Sequence, residues 1–128
     1  MRLLLDTHLL LWAAGPDERL SSPARDLIGD PGNQPLFSAA SLWEVVIKSS
    51  RGRNDFRIDA RLLRRGLLNN GYHELAITGE HALAVASLPP LHHDPFDRML
   101  VAQSVVEGIV LLTSDPLVAR YPAPVQLV

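Results

Sequence analysis

The order of short apolar runs and longer helical patterns predicts an α/β fold, a three-layer α/β/α sandwich around a central parallel sheet. Three observations predict it. The run Ile109-Val110-Leu111-Leu112-Thr113 is apolar, branched and unalternated, as strands buried on both faces are. Similar runs earlier in the chain are separated by helical patterns, which suits parallel strands joined by crossovers. The 128 residues, 47% hydrophobic and 20% charged, suffice for one domain with its own core, expected to span 1–128.

Leu3-Leu4-Leu5 reads as the first strand, and Thr7 to Ala14 as a helix stopped by Gly15-Pro16. Ser22-Pro23 starts a second helix, with Ser22 as cap, which ends at Gly29 or Gly32. Leu36-Phe37-Ser38 is the second strand. Ser41 to Ser50 is helical, with Leu42, Val45 and Val46 on one side and Gly52 as a stop. Asp59 caps a helix to about Asn69, before Gly71. Glu74 to Ile77 is a strand, and Thr78 caps a helix ending at Leu88, before Pro89-Pro90. Asp94-Pro95 opens a helix with Phe96, Met99, Leu100, Gln103 and Val106 on one stripe, ended by Gly108. Strand Ile109–Thr113 follows, then one helical turn at Leu117–Arg120 and an edge strand at Val125–Leu127. The expected order is β-α-α-β-α-α-β-α-α-β-β.

Composition narrows the chemistry. There is no Cys, hence no disulfide framework, thiol nucleophile or zinc ribbon. The apolar run Leu9–Ala14 ends far short of the roughly 20 residues a membrane span needs. Asp6 and His8 interrupt the resemblance of Met1–Leu5 to a signal peptide. A soluble, cytoplasmic protein without a membrane partner is expected. The net charge of −2 is unevenly spread. Lys48, Arg51, Arg53, Arg57, Arg61, Arg64 and Arg65 face only Asp55 and Asp59, a net +5, which leaves −7 for the remainder. Such a stretch is a solvated surface, an arm for RNA backbone, or a surface for an anionic partner.

In parallel sheets the ligand site lies beyond the carboxyl ends of the strands. Asp6 follows the first strand, and Asp115 follows the fourth. Glu44 and Asp97 lie in early turns of helices that start at the same edge. Each acid has a bland reading. Asp6 starts a turn or caps a helix. Ser41-Leu42-Trp43-Glu44 is a ready capping box. Asp97 complements a helix dipole, and Asp115-Pro116 is a turn pair. Together they place an acid at nearly every strand-to-helix junction of one edge. Two carboxylates about 4 Å apart repel by several kcal/mol at an effective dielectric near 20. Protons or a cation must relieve this. Oxygen ligands alone suit a hard divalent ion, Mg²⁺ or Mn²⁺, and hence phosphoryl chemistry, most simply that of a nuclease.

Leu4-Leu5-Asp6-Thr7-His8, Ser41-Leu42-Trp43-Glu44, the run His93 to Gln103 and Leu112-Thr113-Ser114-Asp115 occur in this order. Together they resemble a PIN-domain ribonuclease, specifically the VapC-type toxin of bacterial toxin–antitoxin pairs, over nearly the whole chain. Asp94-Pro95-Phe96-Asp97-Arg98 is the most specific block. The resemblance implies a PIN-like parallel sheet and Mg²⁺- or Mn²⁺-dependent endonucleolytic cleavage of RNA. It also implies a homodimer and a VapB-type antitoxin whose C-terminal segment occupies the acidic cleft. It puts the catalytic and metal-binding acids at Asp6, Glu44, Asp97 and Asp115. Ser114 departs from the basic residue many relatives carry, which puts a substrate contact there in doubt.

Thr7 and Thr113 are candidates to orient a carboxylate or a water. Asp94 is a fifth acid of the cleft or, better, a helix cap. Arg98 meets a phosphate or a neighbouring acid. His92-His93 has no partner at zinc-ligand spacing. His8 and His81 read as surface or boundary residues, and Trp12 and Trp43 as core or dimer contacts. Two other classes remain. One is an inactive PIN-like module that acts through its protein partner. The other is a Mg²⁺-dependent phosphatase, whose second Asp is replaced here by His8.

Overall fold

The computed structural model describes residues 1–15, 17–51 and 58–128. Five strands and six helices follow in the expected order: β1 Arg2–Leu5, α1 Thr7–Ala14, α2 Ser22–Gly29, β2 Gln34–Ser38, α3 Ala39–Ser50, α4 Ala60–Asn69, β3 His73–Leu75, α5 Gly79–Ala84, α6 Pro95–Glu107, β4 Val110–Thr113 and β5 Val125–Leu127. Two 3₁₀ turns, Val85–Ser87 and Val118–Arg120, complete the set.

The strands form one parallel sheet in the order β3-β2-β1-β4-β5. Leu3, Leu4 and Leu5 of β1 register with Val110, Leu111 and Leu112 of β4. The pleat sends alternate side chains to opposite faces. Leu4, Leu36 and Leu111 enter one core with Leu100 and Val101 of α6. Leu3, Leu5, Phe37 and Leu112 enter a second core with Leu9 and Leu10 of α1 and Leu67 of α4. Each face of the sheet is thus covered by helices, giving the three layers. Chain order reverses where β1 separates β2 from β4, and this is where such sheets open a crevice.

Several local readings change. The cap of α2 is Ser21, whose hydroxyl accepts from Ala24 N at 3.2 Å, rather than Ser22. α3 starts at Ala39, because Ser38 at the end of β2 already caps it by accepting from Ala40 N. Ser41 is therefore inside the helix. Val46 lies on the exposed side of α3, away from Val45. β3 begins one residue earlier than expected and ends at Leu75, with Leu36–Ser38 of β2 beside it. The helix after Thr78 tightens into the 3₁₀ turn before Pro89-Pro90, which cannot continue it. Gly108 ends α6 with φ +65°, a conformation that favours glycine. Pro16 and Gly52, read as stops, lie outside the described residues. Among the described residues no helix is long and apolar enough to cross a membrane.

Candidate active site

Asp6 sits between β1 and α1, beside the point where the sheet reverses order. It caps α1, with Oδ1 accepting from Leu9 N at 2.9 Å. Its Oδ2 accepts from the Thr113 hydroxyl, at the end of β4, at 2.5 Å. Asp6 is buried. Burial raises its carboxyl above the ordinary range, against the lowering pull of hydrogen bonds from Thr113, Leu9 and the Ser114 backbone.

Glu44 is only 3% exposed. The capping-box reading of this acid fails. Ser38 occupies the cap, and the Ser41 hydroxyl instead accepts from Thr7 Oγ1 at 2.9 Å, linking α3 to α1. Glu44 Oε2 pairs with Lys48 Nζ one helical turn later. Its other oxygen, Oε1, is buried with no hydrogen-bond partner among the described residues. An orphaned carboxylate oxygen is costly and marks a place for a cation or a donor.

Asp97 lies in the first turn of α6. Asp94 is the cap of that helix, accepting from Phe96 N and Asp97 N. The Asp97 carboxyl is pushed up to about 6, first by burial and next by the charge of Asp94. Glu44 and Asp6 push it in the same direction, while a hydrogen bond with His92 lowers it. Asp6, Glu44, Asp94 and Asp97 therefore share one electrostatic environment at the carboxyl edge of the sheet.

Asp115 is more peripheral. It is exposed, and its Oδ1 accepts from Leu117 N at 2.8 Å, the turn role its Asp-Pro sequence suggests. Its backbone N donates to Thr113 Oγ1 at 3.0 Å, so Thr113 joins it to Asp6. Arg98 pairs with no acid among the described residues. It donates to the carbonyls of Pro89 and Val85 and to the Tyr121 hydroxyl, which pins the connection ahead of α6. His81 is a core residue rather than a boundary one. Its Nδ1 accepts from Thr78 N, and its Nε2 lies 2.8 Å from Glu107. Trp43 is 59% exposed, so it is no core residue; it meets Phe96 edge-on at 5.2 Å beside the acids.

Three residues of this edge carry more than the sequence reading gave them. Lys48 was visible as an i,i+4 partner of Glu44. His92, which touches Asp97, and Tyr121, which touches His92, had no local signal. In the basic stretch, Arg64 pairs with Glu74 at 2.6 Å, while Arg61 and Arg65 meet no acid among the described residues. Arg53, Asp55 and Arg57 lie outside those residues.

Among the described residues no three acidic or histidine side chains close around a single point. The donor set nonetheless fits a hard divalent ion. It offers carboxylate oxygens, one of them buried and unpartnered among the described residues, and Asp94, Glu44 and Asp6 all push the Asp97 carboxyl up. An ion that keeps several of its waters does not need a closed protein cage.

The sequence matches the PIN domain family over residues 3–124. No curated protein matches it. Among solved structures, the chain is similar to VapBC2 from Rickettsia felis bound to a DNA fragment from their promoter, with a TM-score of 0.71. Identity is 14%, over 99% of this chain and 98% of that one. It is also similar to DNA-bound VapBC from Salmonella typhimurium, with a TM-score of 0.68 at 14% identity over 98% and 97%. VapBC-1 from nontypeable Haemophilus influenzae gives a TM-score of 0.61 at 14% identity over 99% and 98%.

Proposed function

The chain belongs to the PIN domain family, and from that premise we propose that it is a VapC-type toxin, a single-domain Mg²⁺- or Mn²⁺-dependent endoribonuclease. The observation that carries this reading is the buried, unpartnered Oε1 of Glu44 in a setting where Asp6 and Asp97 repel one another's charge. Asp6, Glu44 and Asp97 would hold the ion, with Asp115 adding charge at the rim. When bound, a divalent ion supplies Lewis acidity toward a phosphate oxygen and a water of lowered pKa.

The chain's own residues do the positioning. Thr113 and the Leu9 amide fix the two oxygens of Asp6. Lys48 balances the charge of Glu44. Thr7 holds α1 against Ser41 of α3, which sets the spacing between Asp6 and Glu44. The remaining parts of the reading are a homodimer in the cytoplasm and a VapB-type antitoxin as partner. The likeness to VapBC folds supports that partner.

The test is cleavage of single-stranded RNA by the purified protein while Mn²⁺ or Mg²⁺ is titrated. Metal-dependent internal cuts by the wild type, lost in Asp6→Asn and Asp97→Asn, are expected. Full cleavage by both folded variants overturns the assignment. RNA left intact at every metal concentration leaves the inactive, partner-binding module as the better reading.

A further inference from the structure

His92 precedes α6 with its side chain 11% exposed, and both of its ring nitrogens are engaged. Nε2 lies 3.2 Å from Asp97 Oδ2, and Nδ1 lies 2.6 Å from the Tyr121 hydroxyl. Arg98 Nη1 is 2.9 Å from the same hydroxyl. Arg98 itself is fixed by the carbonyls of Pro89, Val85 and Leu88.

These contacts have a direction. A guanidinium only donates, so the Tyr121 oxygen accepts from Arg98. The single Tyr121 hydrogen is then free to donate to His92 Nδ1. A ring that accepts at Nδ1 carries its hydrogen on Nε2 and donates it to Asp97. We infer that Arg98, Tyr121 and His92 form a one-way hydrogen-bond chain that holds Asp97 by Oδ2, making His92 a positioning residue for the carboxylate and leaving Oδ1 unengaged by the ring. The inference rests on the proposed metal-dependent reading. There, groups that orient a ligating carboxylate commonly govern metal affinity by 10–100-fold. It also gives the paired histidines separate places, since His93 is exposed while His92 faces inward.

Mn²⁺ binding to the RNA-free protein, followed by the loss of the free-ion electron paramagnetic resonance signal, tests it. His92→Leu is expected to weaken binding by about tenfold or more. His92→Gln, whose amide nitrogen sits near the place of Nε2, is expected to recover most of that loss. Tyr121→Phe keeps the ring but removes its orienting hydrogen, and is expected to fall between. Wild-type affinity in His92→Leu, beside weakened binding in Asp97→Asn, overturns the chain and spares the metal reading. Wild-type affinity in Asp97→Asn overturns the metal reading itself. The wild-type ring gives a check independent of any variant. Long-range proton–nitrogen spectra should show a bare Nδ1 and a protonated Nε2, and a hydrogen on Nδ1 overturns the proposed direction.

Discussion

The Thr113 hydroxyl donates to Asp6 Oδ2 at 2.5 Å, tying the carboxyl ends of β4 and β1 across 107 positions of sequence. The same hydroxyl accepts from Asp115 N. Thr113 is fully buried, so removing its oxygen leaves a carboxylate and an amide short of a partner together. Thr113→Val is expected to lower stability by about 1–3 kcal/mol, and Thr113→Ser to retain most of it. Urea unfolding without metal measures both. Equal midpoints for wild type and Thr113→Val refute the tie.

Asp97 makes the stability of the metal-free protein depend on pH. Its folded carboxyl sits at about 6, against an ordinary value of 3.8. Between these values the native state binds more protons than the unfolded one, so stability falls as pH rises through this window. The cost above pH 6 is on the order of 2–3 kcal/mol. The raised Asp6 carboxyl acts in the same direction. In EDTA, the unfolding midpoint is expected to drop from pH 5 to pH 7.5. Asp97→Asn should flatten the profile and exceed the wild type at pH 7.5. A wild-type profile that rises over this range contradicts the assignment.

The order of elements was legible because β1 and β4 are compact apolar runs and helices carry their own stops, such as the glycine at 108. Local caps were legible at Asp59, Thr78 and Asp94. The cap of α3 was misread because strand runs directly into helix there. Ser38 serves as both the last residue of β2 and the cap of α3, so the later Ser41 looked like the start. The placement of these acids at one edge followed from topology, since strand ends at one edge are a consequence of element order. The contacts around them did not. His92 meets Tyr121 from 29 residues away, and His81 meets Glu107 from 26 away. No periodicity records such pairs. Lys48 and Glu44, one turn apart, were within its reach.

That pair makes a prediction of its own. Lys48 is the positive charge paired with a Glu44 side chain that is almost wholly buried. Lys48→Met strands the carboxylate and is expected to cost the metal-free protein about 2 kcal/mol, below the full figure for a buried pair because Lys48 is one-third exposed. A divalent ion would then meet more uncompensated negative charge. The rise in melting temperature on adding Mn²⁺ should therefore be larger for Lys48→Met than for the wild type. A smaller rise would show that Lys48 organises Glu44 for the ion rather than competing with it.

The basic stretch can be divided by what its arginines already do. Arg64 is committed to Glu74, whereas Arg61 and Arg65 are exposed on α4 and meet no acid among the described residues. If α4 holds RNA backbone, each phosphate contact contributes about 0.7 to the slope of log affinity against log salt for a single strand. Replacing Arg61 and Arg65 with Gln should reduce the slope by about 1.4, and replacing Arg64 by less than one contact's share. Binding is best followed with Asp97→Asn, which keeps the RNA uncut on the proposed mechanism. An unchanged slope in the double variant assigns these charges to a solvated surface or to the antitoxin. Equal effects of Arg64 and Arg61 would mean that the pair with Glu74 opens when RNA binds.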